Sequence, residues 1–511
     1  MQFNRTTARQ RWDKLDGERK GLLYRCEKYS MWTIPKICPP EHYDQNTESL
    51  THDFQSLGSQ CVNHLSNRLT IGLFPAGRPF FRLSPKLNKK RQMQGVPEAQ
   101  KKALDNGLSV TEREASDIID NKSLRTKLYD LMKHLLVTGN VMMVLSKDNI
   151  RVLGLRSYVC QRDADGKVRE LIIKEKIHFD SLDQSVREFL MTSPLFKLTQ
   201  DKMVDHYRWV QLKAGSYVEE QWVDTEMLPG KFTGKYTDTS LPYRALTWDL
   251  ASNQHYGTGL VEDNQGDFAS LSALSKSTIQ AAILASQFKW LVNPMGMTSV
   301  EDFEQSENGA VIAGATDDVK PVAANLDAKL QTNIAVTEQY INRIGAAFML
   351  QSAVTRQAER VTTVELRMNA EELEGSLGGA YSRIAVDVQL PIAHWCLKQV
   401  DRSVLGSELE PTIITGLAAL SRMGDRDRLM ALMQALQMVT NVPEDVRDRM
   451  RMDVWMADIA SAEGFAKDTY ILTEAEYEEK MAQRAARAQA LAMEQIMAKM
   501  QAQQGPQETE E

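Results

Sequence analysis

Apolar residues recur along this chain with two periods, and the change from one to the other divides it. Over residues 54–74, Phe54, Leu57, Cys61, Leu65, Leu69 and Leu73 return every three or four positions, which places an apolar stripe on one helix face. Residues 4–31 also read as helix and stop at Trp32-Thr33-Ile34-Pro35. A third helix is expected over 108–137 from Ile118, Ile119, Leu124, Leu128, Leu131, Leu135 and Leu136. The period then shortens. Residues 79–83, 141–145, 157–162, 167–175, 202–212, 216–224 and 243–249 read as strands, with Asp163-Ala164-Asp165-Gly166 as a hairpin turn.

After Asp249 the helical period takes over. One long helix is expected over 259–289 (Phe268, Leu271, Leu274, Ile279, Ile283, Phe288) and another over 326–350 (Leu330, Ile334, Ile341, Ile344, Phe348), the second about 37 Å long. Between them Asn293-Pro294-Met295-Gly296, Asn308-Gly309 and Pro321 predict a small strand-and-turn insert. Residues 351–360, QSAVTRQAER, carry two arginines and neither glycine nor proline, an unusual connection between long helices. A capping box, Thr362 with Glu365, then opens a stripe from Val364 through Met368, Leu377, Tyr381, Ile384, Val388 and Ile392 to Trp395. Gly378-Gly379 and Pro391 predict bends in it. Residues 424–470 read as Met-rich helix and 473–503 as helix with a thin apolar face, expected to form only against copies of itself. Residues 504–511 have the composition of a disordered tail. The fold class is therefore α+β, mainly α, with the strands in the first half.

Composition narrows the chemistry. With 511 residues the chain is long enough for roughly two to four domains, and its 42% hydrophobic and 25% charged residues are those of a folded protein. No run is long and apolar enough to span a bilayer, and the first twenty residues have no apolar segment of a secretory signal, so no membrane is expected. Cys26, Cys38, Cys61, Cys160 and Cys396 are scattered and odd in number, expected as reduced core residues. The net charge of −7 argues against a surface that grips nucleic acid everywhere, yet allows one that surrounds DNA and lets it slide.

Catalytic motifs are missing. There is no P-loop (Gly72–Arg78 lacks the lysine), no dinucleotide fingerprint, no H-E-x-x-H and no zinc spacing, so no cofactor, metal or catalytic residue is expected. Asp163-x-Asp165-Gly166 lacks the later ligands of a calcium loop and reads as a plain turn. His394, among apolar neighbours, reads as a core histidine. The basic stretch 85–102 reads as a solvated loop.

The order of elements, together with several motifs, resembles the portal (head-to-tail connector) proteins of T7-like short-tailed bacteriophages. The motifs are Leu73-Phe74-Pro75, Val137-Thr138-Gly139-Asn140-Val141, Ser157-Tyr158-Val159-x-Gln161-Arg162-Asp163, Tyr256-Gly257-x-Gly259, Val292-Asn293-Pro294, Ala347-Phe348-Met349-Leu350, Glu359-Arg360-Val361-Thr362, Glu372-Leu373-Glu374 with Leu377-Gly378-Gly379, and Glu410-Pro411-Thr412-Ile413. The resemblance implies a non-enzymatic ring, a dodecamer, at one capsid vertex of the virion, assembled in the host bacterial cytoplasm. Double-stranded DNA would pass through its centre during packaging and ejection. It implies a wing over 1–248, stem helices over 249–289 and 326–350, and a clip over 290–325. A tunnel loop over 351–362, a long wing helix over 363–400, a crown over 401–472 and a C-terminal helix or barrel over 473–511 follow. Implied partners are the terminase large subunit, tail adaptor and tail tube proteins, capsid and scaffold proteins, and internal core proteins.

Within that frame Arg360, Arg356, Gln351, Ser352 and Gln357 are candidates to line the DNA channel, with Arg360 ahead because it lies in the matched Glu-Arg-Val-Thr. Local pairing of Arg360, for instance with Glu365, is the competing reading. Ile334 stands where T7-like relatives carry a lysine, so a second basic ring is not implied at that level. Glu301, Asp302, Glu304 and Lys320 are candidates for terminase or tail contact. A structural adaptor or scaffold ring without DNA passage, or a DNA-packaging enzyme, remains the alternative.

Overall fold

A computed structural model describes residues 6–75, 79–85, 98–194, 196–286, 290–307, 311–321, 327–350, 375–400, 409–413, 481–482 and 484–485. The chain divides into two compact units, Met1–Leu417 and Ala418–Glu511; nearly all described residues belong to the first. Its elements, in order, are α1 (Ala8–Glu18), α2 (Lys20–Trp32), α3 (Leu57–Leu73), β1 (Phe81–Pro85), α4 (Glu98–Asn121), α5 (Arg125–Thr138), β2 (Asn140–Leu145), β3 (Ile150–Leu153), β4 (Tyr158–Arg162), β5 (Val168–His178), α6 (Gln184–Thr192), β6 (Met203–Lys213), β7 (Ser216–Val223), β8 (Glu226–Met227), β9 (Gly234–Tyr236) and β10 (Tyr243–Thr247). Then come α7 (Leu260–Asp263), α8 (Gln265–Ser286), β11 (Trp290–Val292), α9 (Val300–Glu304), β12 (Val319–Pro321), α10 (Asp327–Ala347), α11 (Gly379–Val400) and β13 (Leu409–Ile413). Helix and sheet are mixed, as the pattern predicts.

Two antiparallel sheets organise the first half. One runs β4-β5-β6-β7-β8, with β9 also on β7; the other runs β10-β2-β3. Strand β2 explains their relation. Its apolar run Val141-Met142-Met143-Val144 is buried throughout, the mark of a strand covered on both faces. Met142 and Val144 join a core with Leu171, Ile173 and Tyr217 of the larger sheet, whereas Val141 and Met143 join the helical core. That helical core gathers Leu65 and Leu69 of α3, Leu128 and Leu135 of α5, Phe268 of α8, Phe348 just past α10, and Ile384 and Ile392 of α11.

The larger sheet's other face is covered by α1, whose Trp12 and Leu15 pack on Ile172, Tyr207 and Trp222. Arg11 of the same helix donates to Glu170 at 2.5 Å and the Trp209 indole N–H donates to it at 2.8 Å. Burial alone would raise the Glu170 carboxyl, but these hydrogen bonds outweigh it and hold it below the usual range.

Several boundaries differ from the periodic expectation. The 4–31 pattern is two helices, because Arg19 leaves helical geometry between α1 and α2. The 108–137 pattern is also two: α4 begins at Glu98, inside the stretch expected as loop, and Ser123, at φ +52°, separates it from α5. Strand β3 and helix α6 had no clear signal in the pattern, being a four-residue edge strand and a short amphipathic turn. At Gly378, φ is +56°, and α11 starts directly after it, where the glycine pair predicts a break; α11 then continues through Pro391. Residues 409–413, the expected opening of the crown, form β13 and pair antiparallel with β1. The cysteines are buried and unbridged, as expected.

The corner between α5 and β2 is locked to the start of the long helices. Asn140 reaches across 117 residues: its Nδ2 donates to the Gly257 carbonyl at 2.7 Å and its Oδ1 accepts the Gly257 N–H at 2.8 Å. Gly139 sits at φ +70°, and a Cβ there would lie 2.3 Å from the Thr258 carbonyl carbon. A Cβ on Gly259 would lie 2.7 Å from both the Gly139 nitrogen and the Leu136 carbonyl oxygen. Two matched motifs, 137–141 and 256–259, are thus one contact. Replacing Asn140 by Ala strands the buried N–H and carbonyl of Gly257. Asn140→Ala should cost about 3 kcal/mol of stability, read by urea unfolding followed through tryptophan fluorescence. A change within ~0.5 kcal/mol would remove this role.

Candidate functional site: the insert and its two carrier helices

Helices α8 and α10 pack side by side and run in opposite directions, because the insert between them returns the chain. At their base, Phe268 and Phe348 meet edge to face with centroids 5.8 Å apart, and Arg343 bridges Asp267 at 2.9 Å. The apolar stripes read from the sequence change character along the pair. Phe268, Leu271, Ile344 and Phe348 are buried in the core, while Ile279, Ile283, Ile334 and Ile341, further from it, are exposed. Among the described residues, these four isoleucines of the two stripes are therefore left open by the chain itself.

At the tip, β11 and β12 pair antiparallel, with Leu291 opposite Lys320. What holds the rest of the insert is a polar hub. Buried Asp318 accepts the Met297 N–H at 2.8 Å and the Thr298 N–H at 3.3 Å. The Thr298 hydroxyl oxygen in turn accepts the Ala315 N–H at 3.2 Å. The Asp318 carbonyl takes the Asn293 N–H at 2.8 Å, and Asn293 Oδ1 accepts from Met295 at 3.1 Å. Two glycines make room: a Cβ on Gly296 would lie 2.4 Å from Asp318 Cγ, and one on Gly314 2.2 Å from Thr298 Oγ1. Apolar side chains consequently face outward, with Met295 93% and Met297 90% exposed and Leu291, Val300 and Val311 also open. Such adaptable, polar-framed apolar groups suit a protein contact.

The insert candidates fall on this surface. Glu301 and Asp302 occupy the first turn of α9, where Ser299 Oγ accepts the Asp302 N–H at 3.3 Å, and Glu304 ends it; all three carboxylates are exposed. Lys320 is exposed on β12, with Asp317 3.9 Å away. Sequence reasoning missed Asp318 and Thr298; the only signal was an aspartate beside a β-branched strand start, which is too common to single out. The channel candidates Gln351, Ser352, Arg356, Gln357 and Arg360 lie outside the described residues. Asp163 is an ordinary turn residue, its Oδ1 accepting the Lys167 N–H at 2.8 Å. Among the described residues, no group of three His, Cys, Asp or Glu side chains could hold a metal ion, and no helix is long and apolar enough to cross a membrane.

Comparison with known proteins gives a consistent assignment. A family model described as bacteriophage head to tail connecting protein matches residues 5–471. The portal protein of Enterobacteria phage T3 is 31% identical over 491 residues, 94% of this chain and 90% of that one. Those of Escherichia phage T7 and Pseudomonas phage phiKMV are 30% and 31% identical over 93% and 95% of this chain, and 90% and 96% of theirs. Among solved structures, the neck of a native GTA particle aligns over 80% of this chain and 89% of that one at 10% identity and a TM-score of 0.35, too slight a likeness to bear on fold or assembly.

The hub predicts a local phenotype. Asp318→Ala should leave the insert frayed, with cleavage between residues 293 and 318 by a limiting protease at least about tenfold faster, and the unfolding midpoint of the main core unmoved. Unchanged cleavage would show that Asp318 does not hold the insert.

Proposed function

Since this chain belongs to the bacteriophage head-to-tail connecting proteins, the portal family, we propose that it forms a ring at one capsid vertex through which the phage genome is packaged and later ejected. The observation that carries this reading is the match of family and portal relatives along nearly the whole chain. In this reading 1–248 is the wing, α8 and α10 with their flanks are the stem, and 290–325 is the clip. Residues 351–362 are the tunnel loop, 363–400 the long wing helix, 401–472 the crown and 473–511 a C-terminal helix or barrel. Strand β13 ties the beginning of the crown segment to β1 of the wing.

The exposed stem isoleucines support assembly. Ile279, Ile283, Ile334 and Ile341 are the surface a neighbouring subunit would cover, and a closed ring of heterologous contacts covers every copy alike. The outward Met295 and Met297, beside the carboxylates of Glu301, Asp302 and Glu304 and the ammonium of Lys320, support docking of the terminase large subunit and then the tail adaptor on the clip. Tail tube, capsid, scaffold and internal core proteins are the further partners. The protein would act as a connector rather than an enzyme, as a virion component assembled in the host cytoplasm.

Arg360, and Arg356 behind it, would present rings of positive charge to the duplex, with Gln351, Ser352 and Gln357 as neutral neighbours. Contacts of arginine with phosphate carry no sequence information, so DNA could slide while the charge slows its escape. Negative-stain images of the purified chain should show a ring of about twelve subunits with an open centre. A solid or filamentous particle would instead favour an adaptor or scaffold. Arg360→Ala should lower the DNA retained per filled capsid by roughly twofold or more without preventing ring formation, and unchanged retention would remove the arginine from the channel.

A further inference from the structure

A cleft between α5 and the turn after α2 gathers positive charge that the reading above does not use. Along α5, Lys127, Asp130 and Lys133 follow one another at steps of three, and His134 stands four residues after Asp130, which puts them along one side of the helix. The 3-10 turn Pro35–Ile37 sets Lys36 across from them. Together they line a cavity of about 250 Å3. A second cavity, about 610 Å3, opens on the same Lys36 and Lys133 and continues past Gln55, Ser59 and Asn63. In the smaller cavity three lysines thus stand beside one carboxylate, Asp130, and the larger one adds a second, Asp53, which accepts hydrogen bonds from Ser272 and Gln55; the chain's net charge is −7.

Lys133 is built into place rather than left to wander. The residue is 9% exposed, its ammonium lies 3.9 Å from the centre of the Tyr129 ring, and Asp130 Oδ1 is 3.5 Å away. Tyr129 is itself fixed, its hydroxyl donating to Asn63 Oδ1 at 3.0 Å. Burial lowers the Lys133 pKa; Asp130 opposes this, and the like charge of Lys36 adds to it. His134 supplies no charge, since burial pushes its pKa to about 4, and its Nδ1 is buried with no hydrogen-bond partner. Gly154 closes over the ring, where a Cβ would come within 3.1 Å of His134 Cε1. The converging ammonium groups repel one another, and a multiply charged anion between them would turn that repulsion into attraction.

We propose that this cleft binds a phosphate group, held by Lys36, Lys127 and Lys133. The smaller cavity takes the phosphate, and the larger one, lined by the Gln55, Ser59 and Asn63 side chains together with Phe54 and Asp53, takes what the phosphate is attached to. That attachment is either a free nucleotide or the backbone of nucleic acid, and the two are separable by experiment.

The test uses the full chain in its native assembly. ADP binding is read by titration calorimetry, and binding of a 20-base-pair duplex by fluorescence anisotropy across a salt series. Lys36 and Lys127 are exposed, so the double variant Lys36→Ala/Lys127→Ala keeps the fold, and Lys127→Glu alone provides a second, independent replacement. Lys235→Ala, at an exposed position of strand β9, is the control. At least tenfold weaker ADP binding in both cleft variants, with the control unchanged, supports a nucleotide ligand. At least tenfold weaker duplex binding with a salt slope reduced by about two in the double variant supports a backbone phosphate. If neither ligand binds the unaltered protein, or if cleft variants bind both as tightly as the control does, the proposal is overturned.

Discussion

The structure turns on the contact between the corner at Gly139-Asn140 and the bend at Gly257–Gly259. Here the sheets of the first half end and the long helices begin, and the two backbones approach closely enough that no side chain fits between them. Asn140 replaces the missing side-chain packing with a paired hydrogen bond to the Gly257 peptide, and the Trp248 N–H donates to the Gly139 carbonyl at 2.9 Å. The Tyr256 hydroxyl accepts the Cys160 N–H at 2.9 Å, which brings the larger sheet to the same point. Two glycine motifs, one asparagine and one tyrosine therefore set the direction in which α7 and α8 leave the body.

That direction matters because α8 and α10 carry the insert. Their buried base is part of the same core as α3, α5 and α11, so it cannot tilt without disturbing that core. Their distal halves expose isoleucines, and the insert they carry exposes methionines around a polar hub. Apolar groups held open on a rigid arm are costly in water and become favourable only when a partner covers them. The same economy appears in the insert, which is too small to enclose an apolar core and is organised by Asp318 and Thr298 instead, freeing its apolar side chains for contact.

The cleft at Lys133 follows a related logic with charge in place of apolar surface. A buried ammonium is tolerated where a ring face and a carboxylate hold it, and a neutral His134 beside it avoids a further cation. Both features leave the isolated chain incomplete in a defined way. One would be met by a protein surface and the other, on the proposal above, by an anion.

Apolar pattern in the sequence determined the helices α3, α8, α10 and α11, the strands β2 and β4 through β7, and the insert, because a repeating apolar face, or in β2 an unbroken apolar run, is visible in the order of residues alone. Motif resemblance determined the family. Tertiary structure decided what period cannot carry. It split the apparent helices at Arg19, Ser123 and Asn264, where a local turn interrupts no stripe. It paired β13 with β1 across more than 300 residues, since strand partners are chosen by the whole fold. It showed which isoleucines of one continuous stripe are covered and which are open, because burial depends on what lies opposite. Asp318, Asn140 and Lys133 matter through partners far along the chain or through the cavity around them, and neither spacing nor composition records such neighbours.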